Sequence, residues 1–166
     1  MRSNKLWLWV VLLAFAMTVR SSTIRADDDN GGEPVRGDFA SSLIPNDPDS
    51  PIGIGTLGML SGNLQATYQF TMLTLVPDPD DPAALVYTGI SVITTRDGSQ
   101  LFSHDTGIMY PNPNGLTPFT TTAHLVSGTG RFREVTGGEI VAPGMLDFAT
   151  GNATGTFSGE ICRPEQ

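Results

Sequence analysis

A strict alternation of apolar and polar side chains over residues 64–72 constrains the fold of this chain more than any other feature. A period of two places the two sets of side chains on opposite faces of a β-strand. The Asp- and Pro-rich segment 77–82 then ends the strand, because proline cannot donate to a β-ladder. The apolar positions are Leu64, Ala66, Tyr68, Phe70 and Met72, and every position between them is Gln or Thr.

The rest of the chain divides into further short strands separated by turn residues. The chain contains 19 Gly and 12 Pro among 166 residues, and no segment has the period of an amphipathic helix of usual length. About eight antiparallel strands in one domain predict an all-β fold, either a sandwich or a closed barrel, and composition does not choose between the two. The predicted strands cover residues 35–44, 52–60, 64–72, 85–96, 99–110, 117–127, 138–148 and 152–162.

The dipeptide Asp97-Gly98 lies between two of these strands and predicts a β-hairpin. Asp-Gly is favoured in the type I′ turn, which requires positive φ angles at both central residues. We therefore expect the strands at 85–96 and 99–110 to be antiparallel neighbours joined by a type I′ turn.

The first 26 residues have the pattern of an export signal. Arg2 and Lys5 precede an apolar run over residues 6–19, and Ala26 is a small residue at the expected cleavage site. The run is shorter than the roughly 20 residues that cross a bilayer as a helix, although an uncleaved membrane anchor is the alternative. We expect the mature protein to be secreted or periplasmic.

Cleavage after Ala26 would change the charge of the protein. Residues 1–26 contain four of the nine basic residues and no acid, so the formal charge changes from −8 to −12, and no lysine remains. An acidic surface repels phosphate backbones and anionic lipid heads, which argues against nucleic-acid and membrane partners. The absence of lysine excludes Schiff-base chemistry. Cys162 is the single cysteine, so no internal disulfide forms, and we expect its side chain to be buried.

The segment 126–137, with the sequence VSGTGRFREVTG, resembles the G-G-T-G-R-F-x-x-A-x-G signature of the allene oxide cyclase and dirigent superfamily. Gly128 and Gly130 allow a sharp turn after a strand, Phe132 can plug the end of a barrel, and Gly137 starts the next strand after a short helical turn near 131–135. The glycine-rich segment 154–162 is similar to the last strand of small exported bacterial members.

The resemblance implies an eight-stranded antiparallel β-barrel with a central cavity, often assembled as a homotrimer, and no metal or organic cofactor. Plant members cyclise an unstable fatty-acid epoxide or steer the coupling of phenoxy radicals, in both cases by shaping a cavity around a reactive substrate. Their catalytic carboxylates have no counterpart that can be placed on this sequence. The domain organisation becomes a signal peptide at 1–26, an acidic Gly- and Pro-rich tail with room for a first strand at 27–53, and a β-barrel domain at 54–163.

Asp105 is the candidate catalytic residue, because it is an acid in the middle of a predicted strand. Leu101 and Met109 share its face, and burial on that face would raise its pKa toward the range of a useful base. The alternative is an outward-facing acid near Arg96 of the hairpin. Strand alternation separates His104 from Ser103 and Asp105, so these three neighbours cannot form a triad.

The candidate ligand-binding residues come from the apolar face of the alternating strand and from two histidines. A cross-strand pair of His104 and His124 could bind a ligand if it faced the cavity, but two histidines are one ligand short of a usual zinc site. Tyr68, Phe70 and Met72 would line a cavity or simply fill the barrel. Tyr68 combines a ring with a hydroxyl, which suits an aromatic ligand.

Three functions remain open from the sequence. The first is a cavity for a small apolar or aromatic molecule with cofactor-free cyclisation or isomerisation, in which Asp105 is the general base. The second is a carrier without chemistry, and the third is a structural protein of the cell exterior with a filled barrel.

Overall fold

A computed structural model describes residues 32–112 and 115–164. Eight strands form one closed antiparallel barrel in which each strand pairs with the next and β1 pairs with β8. The predicted all-β, eight-stranded barrel is confirmed. The strands are β1 (Gly32–Pro45), β2 (Ile54–Gly62), β3 (Ala66–Pro77), β4 (Leu85–Thr95), β5 (Gln100–Met109), β6 (Thr117–Gly128), β7 (Gly137–Asp147) and β8 (Asn152–Cys162).

The predicted export signal, residues 1–26, lies outside the described residues. In the part of the chain that is described, none of the helical structure is long and apolar enough to cross a membrane. A single short 3₁₀ turn, Gly130–Phe132, connects β6 to β7, where the sequence predicts a short helical turn.

Strand β1 closes the barrel. It pairs with β2 from Gly37 opposite Gly62 onward, and with β8 from Gly32 opposite Cys162 onward. The strand lies in the stretch 27–53, where the sequence left room for a first strand. Because β1 has a partner on both sides, no strand edge of the barrel is left open, which removes the sandwich alternative.

The β4–β5 hairpin has the predicted strands but a different turn. Gly98 has a φ of 81°, whereas Asp97 has no positive φ, so the type I′ prediction is wrong. Hydrogen bonds from Gly98 N to Thr95 O and from Thr95 N to Ser99 O enclose a three-residue loop. This is the type I turn followed by a left-handed glycine that forms the second common class of hairpin.

One end of the barrel, here called the closed end, is filled by apolar side chains. Phe132 of the 3₁₀ turn is 1% exposed. Gly128 allows it to lie there, because a Cβ at that position would meet the Phe132 side chain. The side chains that pack together at this end include Val35, Leu64, Leu101, Phe132 and Ile161.

Inside the barrel, aromatic rings lie over glycines of the neighbouring strand. Tyr68 is paired with Gly58, and Tyr87 is paired with Gly107. A Cβ on either glycine would overlap the ring of its partner. The glycines therefore make room for large rings in a barrel whose interior is only wide enough for side chains or one small ligand. Phe39 and Phe119 are related in the same way to Gly155 and Gly144.

Candidate functional site

The barrel encloses a cavity of about 130 Å³. Its volume is close to that of an engineered apolar cavity of roughly 150 Å³ that holds one benzene molecule, and below the roughly 300–1,000 Å³ of pockets for drug-sized ligands. The walls come from inward-facing side chains of all eight strands and are almost entirely apolar. Aromatic rings dominate the lining, and they belong to Phe39, Tyr68, Phe70, Tyr87, Phe119 and Phe157.

The cavity opens away from the closed end. Its lining includes Leu43, Met109 and Leu146, which lie near the opposite ends of β1, β5 and β7. The side chains of Leu64, Leu101, Phe132 and Ile161 do not belong to the lining. We call the end where β1 connects to β2, β3 to β4, β5 to β6 and β7 to β8 the mouth. Its described connecting residues are 46–53, 78–84, 110–112, 115–116 and 148–151.

Asp105 is the acidic group of the cavity lining. The residue is 2% exposed and lies in the middle of β5, opposite Gly89 on β4 and Ala123 on β6. The Ser103 hydroxyl donates a hydrogen bond of 2.6 Å to Oδ1 of Asp105. The Ser91 hydroxyl, on β4, donates a short hydrogen bond to Oδ2. Both carboxylate oxygens therefore have a donor, while the surrounding walls are carbon.

Burial raises the pKa of the Asp105 carboxyl above its usual value. The hydrogen bonds from Ser103 and Ser91 act in the opposite direction, because they stabilise the charged form, and so do His124 and His104 to a smaller extent. Desolvation is the largest of these effects. A carboxyl whose pKa is raised is a stronger base than an ordinary aspartate, which is the property that a proton-transfer group needs.

Two tyrosine hydroxyls provide the other titratable groups of the lining. Desolvation raises the pKa of Tyr87 to about 12, with Asp105 adding to the rise, and its hydroxyl lies 2.5 Å from Thr121 Oγ1. Burial also raises the pKa of Tyr68, while the side chains of Ser41 and Thr56 act in the opposite direction. Both hydroxyls are neutral at physiological pH and act as hydrogen-bonding groups.

Four of the candidate residues from the sequence lie together in this cavity. Tyr68, Phe70, Met72 and Asp105 all belong to the lining. The outward-facing alternative for Asp105 is wrong, because its side chain shares the inner face with Leu101 and Met109, which are both buried.

The two histidines lie on the outside of the barrel, so their placement as cavity residues is wrong. His104 and His124 are directly opposite each other on β5 and β6, as a cross-strand pair requires. Both are exposed, because strand alternation sends them to the face opposite Asp105. His124 Nδ1 forms an ion pair of 3.3 Å with Oε2 of Glu139. Across residues 32–112 and 115–164, no group of three or more His, Cys, Asp or Glu side chains is arranged to hold a metal ion.

Sequence reasoning missed Ser91, which completes the hydrogen bonding of Asp105. One weak signal for it is present in the sequence: Ser91 is a single serine among the β-branched residues Ile90, Val92 and Ile93. Its importance depends on the pairing of β4 with β5, in which Ser91 is opposite Ser103. The sequence predicted that these strands are neighbours but not which residues face each other.

Cys162 lies at the end of β8 and is half-buried rather than buried. Its sulfur is 3.8 Å from a carboxylate oxygen of Glu160, and desolvation and this carboxylate raise the pKa of the thiol. These surroundings disfavour the thiolate, so they do not activate Cys162 as a nucleophile.

In comparisons with known proteins, no family model matches this chain, and neither a curated protein nor a solved structure matches it significantly.

Proposed function

We propose that this protein is an exported barrel of the allene oxide cyclase and dirigent-like type that binds a small apolar or aromatic molecule in its cavity and catalyses a cofactor-free isomerisation or cyclisation. The observation that carries the proposal is the position of Asp105. It is a buried carboxyl with hydrogen bonds to two serines, and it faces an apolar cavity of about 130 Å³. Small-molecule sites combine apolar walls with a few polar groups in this way.

The size of the cavity supports a ligand of about one six-membered ring. We expect the apolar walls to hold such a ring against the rings of Phe70 and Tyr87, whose centroids are 6.1 Å apart in an edge-to-face arrangement. The cavity is too small for a long fatty-acid chain in full. The chemistry of the plant cyclases is therefore not the model for this substrate.

A proton transfer is the chemistry that this arrangement supports. As a carboxylate, Asp105 accepts a proton from a carbon or hydroxyl of the ligand, and the resulting carboxylic acid returns that proton to a second atom of the same ligand. No atom or electron is gained or lost, so neither a metal nor a redox cofactor is needed. Ser91 and Ser103 orient the carboxyl, and the Tyr68 hydroxyl, on β3 two strands from β5, is a further polar group that positions the ligand.

The test combines native mass spectrometry with one substitution. The protein is purified from the host that exports it, and its subunit number, its mass after any cleavage and any retained small molecule are measured together. The small molecule that the protein retains is then incubated with wild-type protein and with Asp105→Asn, and its conversion is measured. We expect a ring-sized adduct in both proteins and turnover only in the wild type. Retention of turnover in a folded Asp105→Asn protein would exclude Asp105 as the proton-transfer group.

A carrier without chemistry is the second candidate. It is favoured by the scarcity of acid–base groups in the lining, where the two tyrosines beside Asp105 have raised pKa values and stay neutral. A carrier would release its ligand unchanged. Recovery of the same molecule before and after prolonged incubation would support this function over the enzyme.

Two observations support the proposed relationship to the superfamily: the eight-stranded closed barrel, and the position of Phe132 as the plug after the Gly128 and Gly130 turn. The homotrimer that the resemblance implies is part of the same proposal. The subunit number from native mass spectrometry tests it.

A further inference from the structure

The charges of this barrel are separated along its axis. The four connections at the mouth contain no lysine or arginine, although they and the end of β7 include six aspartates. All five arginines that follow residue 26 lie at the closed end, on the first part of β1, in the β4–β5 turn, in the 3₁₀ turn and just after β8. The mouth aspartates are Asp47, Asp49, Asp78, Asp80, Asp81 and Asp147, and the arginines are Arg36, Arg96, Arg131, Arg133 and Arg163.

The closed end does not have the same negative charge, because its acids lie among these arginines. Glu33 forms an ion pair of 2.8 Å with Arg163, and Glu134 lies 3.4 Å from Arg133. Among residues 32–112 and 115–164, no Lys or Arg pairs with the aspartates of the mouth. A charged rim above a low-dielectric cavity focuses its field into the opening and raises the local concentration of ions of opposite sign. The mouth of this cavity therefore attracts cations.

The interior has the composition that binds organic cations. Six aromatic rings line the cavity, whose volume is about 130 Å³. The face of an aromatic ring is negative, and ammonium ions bind against several such faces in aromatic cages. Among the described residues, Asp105 is the acidic side chain of the lining, and no Lys, Arg or His belongs to it. Tyr87 lies on β4, the strand next to Asp105, and the charge of Asp105 acts on it, whereas Phe70 lies one strand further away, on β3.

We propose that the ligand of the cavity is a small organic ammonium ion of about the size of one six-membered ring, with its nitrogen paired to Asp105 and its carbon groups against the aromatic rings. This inference rests on the proposed binding function and names the chemical class of its ligand. The acidic mouth and the aromatic, acid-containing interior are separate features of the chain, and both select for positive charge.

Binding would be linked to a proton. In the empty cavity, burial favours the neutral form of Asp105, and an ammonium ion favours the carboxylate. The proton therefore leaves to the buffer when the ammonium binds at a pH below the pKa of Asp105. The other titratable groups that face this carboxyl are Tyr87 from β4 and Tyr68 across the cavity, while His104 and His124 act on it from the outer face.

The experiment compares two probes of equal size that differ in charge, cyclohexylammonium chloride and cyclohexanol. Binding of each to the exported protein is measured by isothermal titration calorimetry. We expect cyclohexylammonium to bind at least about tenfold more tightly than cyclohexanol, a difference that corresponds to the pairing of one charge. Its affinity should rise as the pH rises through the pKa of Asp105. Titration in two buffers with different ionisation enthalpies should detect proton release when the pH is below the pKa of Asp105.

Three variants locate the effect. Asp105→Asn should abolish the preference for the ammonium over cyclohexanol. Asp38→Asn, an exposed acid on the outside of β1, is the matched control and should preserve the preference. Replacing Asp78, Asp80 and Asp81 together by Asn should weaken cyclohexylammonium binding by about threefold at low ionic strength and have little effect at high salt.

The outcomes separate the two proposals. Equal or tighter binding of cyclohexanol would overturn the ammonium inference and leave the binding cavity in place. Binding of neither probe would overturn both. If Asp105→Asn does not fold, the number of protons that the wild-type protein releases on binding cyclohexylammonium is the test. Absence of proton release across the whole pH range would contradict a pairing of the ammonium with Asp105.

Discussion

Ser103 and Asp105, two residues apart on β5, are joined inside the barrel by a hydrogen bond of 2.6 Å from the Ser103 hydroxyl to Oδ1 of Asp105. Alternation places both side chains on the inner face, and Ser91 reaches the other oxygen of the carboxyl from β4. This small polar group is surrounded by apolar walls. The proposed function of the cavity depends on the protonation of this carboxyl.

The pH dependence of stability should identify the buried carboxyl. The pKa of Asp105 is raised above the ordinary aspartate value of 3.8 in the folded protein, so the folded state binds more protons than the unfolded state between that value and the raised pKa. The contribution of Asp105 to stability is therefore greatest at low pH and falls as the pH rises through this window.

Urea denaturation of wild type and Asp105→Asn at a series of pH values tests this expectation. The free energy of unfolding of the wild type, minus that of the variant, should decrease with rising pH from 3.8 upward. A difference that increases with pH would show that the pKa of Asp105 is lowered by folding.

Removing a hydrogen-bond donor should raise the pKa of Asp105 further. Both serines stabilise the carboxylate, so Ser91→Ala and Ser103→Ala each remove a group that lowers the pKa. NMR titration of the Asp105 carboxyl carbon measures the change. Ser127→Ala, on the exposed face of β6, is the matched control and should leave the titration unmoved.

The plug at the closed end should carry much of the stability of the barrel. Phe132 is 1% exposed, and Phe132→Ala should lower the free energy of unfolding by about 3–5 kcal/mol, because it leaves a cavity among buried side chains. Phe148 is 52% exposed at the mouth, and Phe148→Ala should change stability by less than about 0.5 kcal/mol. Chemical denaturation of both variants checks the contrast, and equal losses would contradict the role of Phe132.

The pairing of a ring with a glycine should be measurable at Tyr87 and Gly107. A Cβ at Gly107 would overlap the Tyr87 ring, so Gly107→Ala should destabilise the barrel by about 1–3 kcal/mol. Gly137→Ala is the matched control, because a Cβ there meets no other atom within 4 Å. In a Tyr87→Leu background the cost of Gly107→Ala should shrink. Additive losses in the double variant would show that the ring and the glycine do not interact.

Local sequence patterns were sufficient to predict most of the strands. Alternation from Leu64 to Met72 predicted an inner and an outer face, although the strand itself starts at Ala66 and continues to Pro77. The strand continues past the alternating segment, and its register with β4 is irregular between Met72 and Thr74. The turn at Asp97 was placed correctly and typed wrongly, because the dipeptide favours a hairpin without determining the length of its loop.

The candidate site was predictable only in part. Asp105 was identifiable as an acid in a strand that shares a face with Leu101 and Met109, but its second donor, Ser91, comes from another strand. Alternation separated His104 from Asp105 correctly, yet it could not tell which of the two faces is inside. That choice depends on the curvature of the closed sheet, which no local pattern contains.

Side-chain period and residues close together in the chain were enough to predict the strands, the positions of the turns and the candidate acid. The folded barrel was needed to show that β1 closes it, that Asp105 faces inward, and that six aspartates lie at the mouth while the five arginines lie at the closed end. These properties depend on register between strands and on closure. Register brings residues such as Phe39 and Gly155 together from opposite ends of the chain, and it appears only when all eight strands are paired.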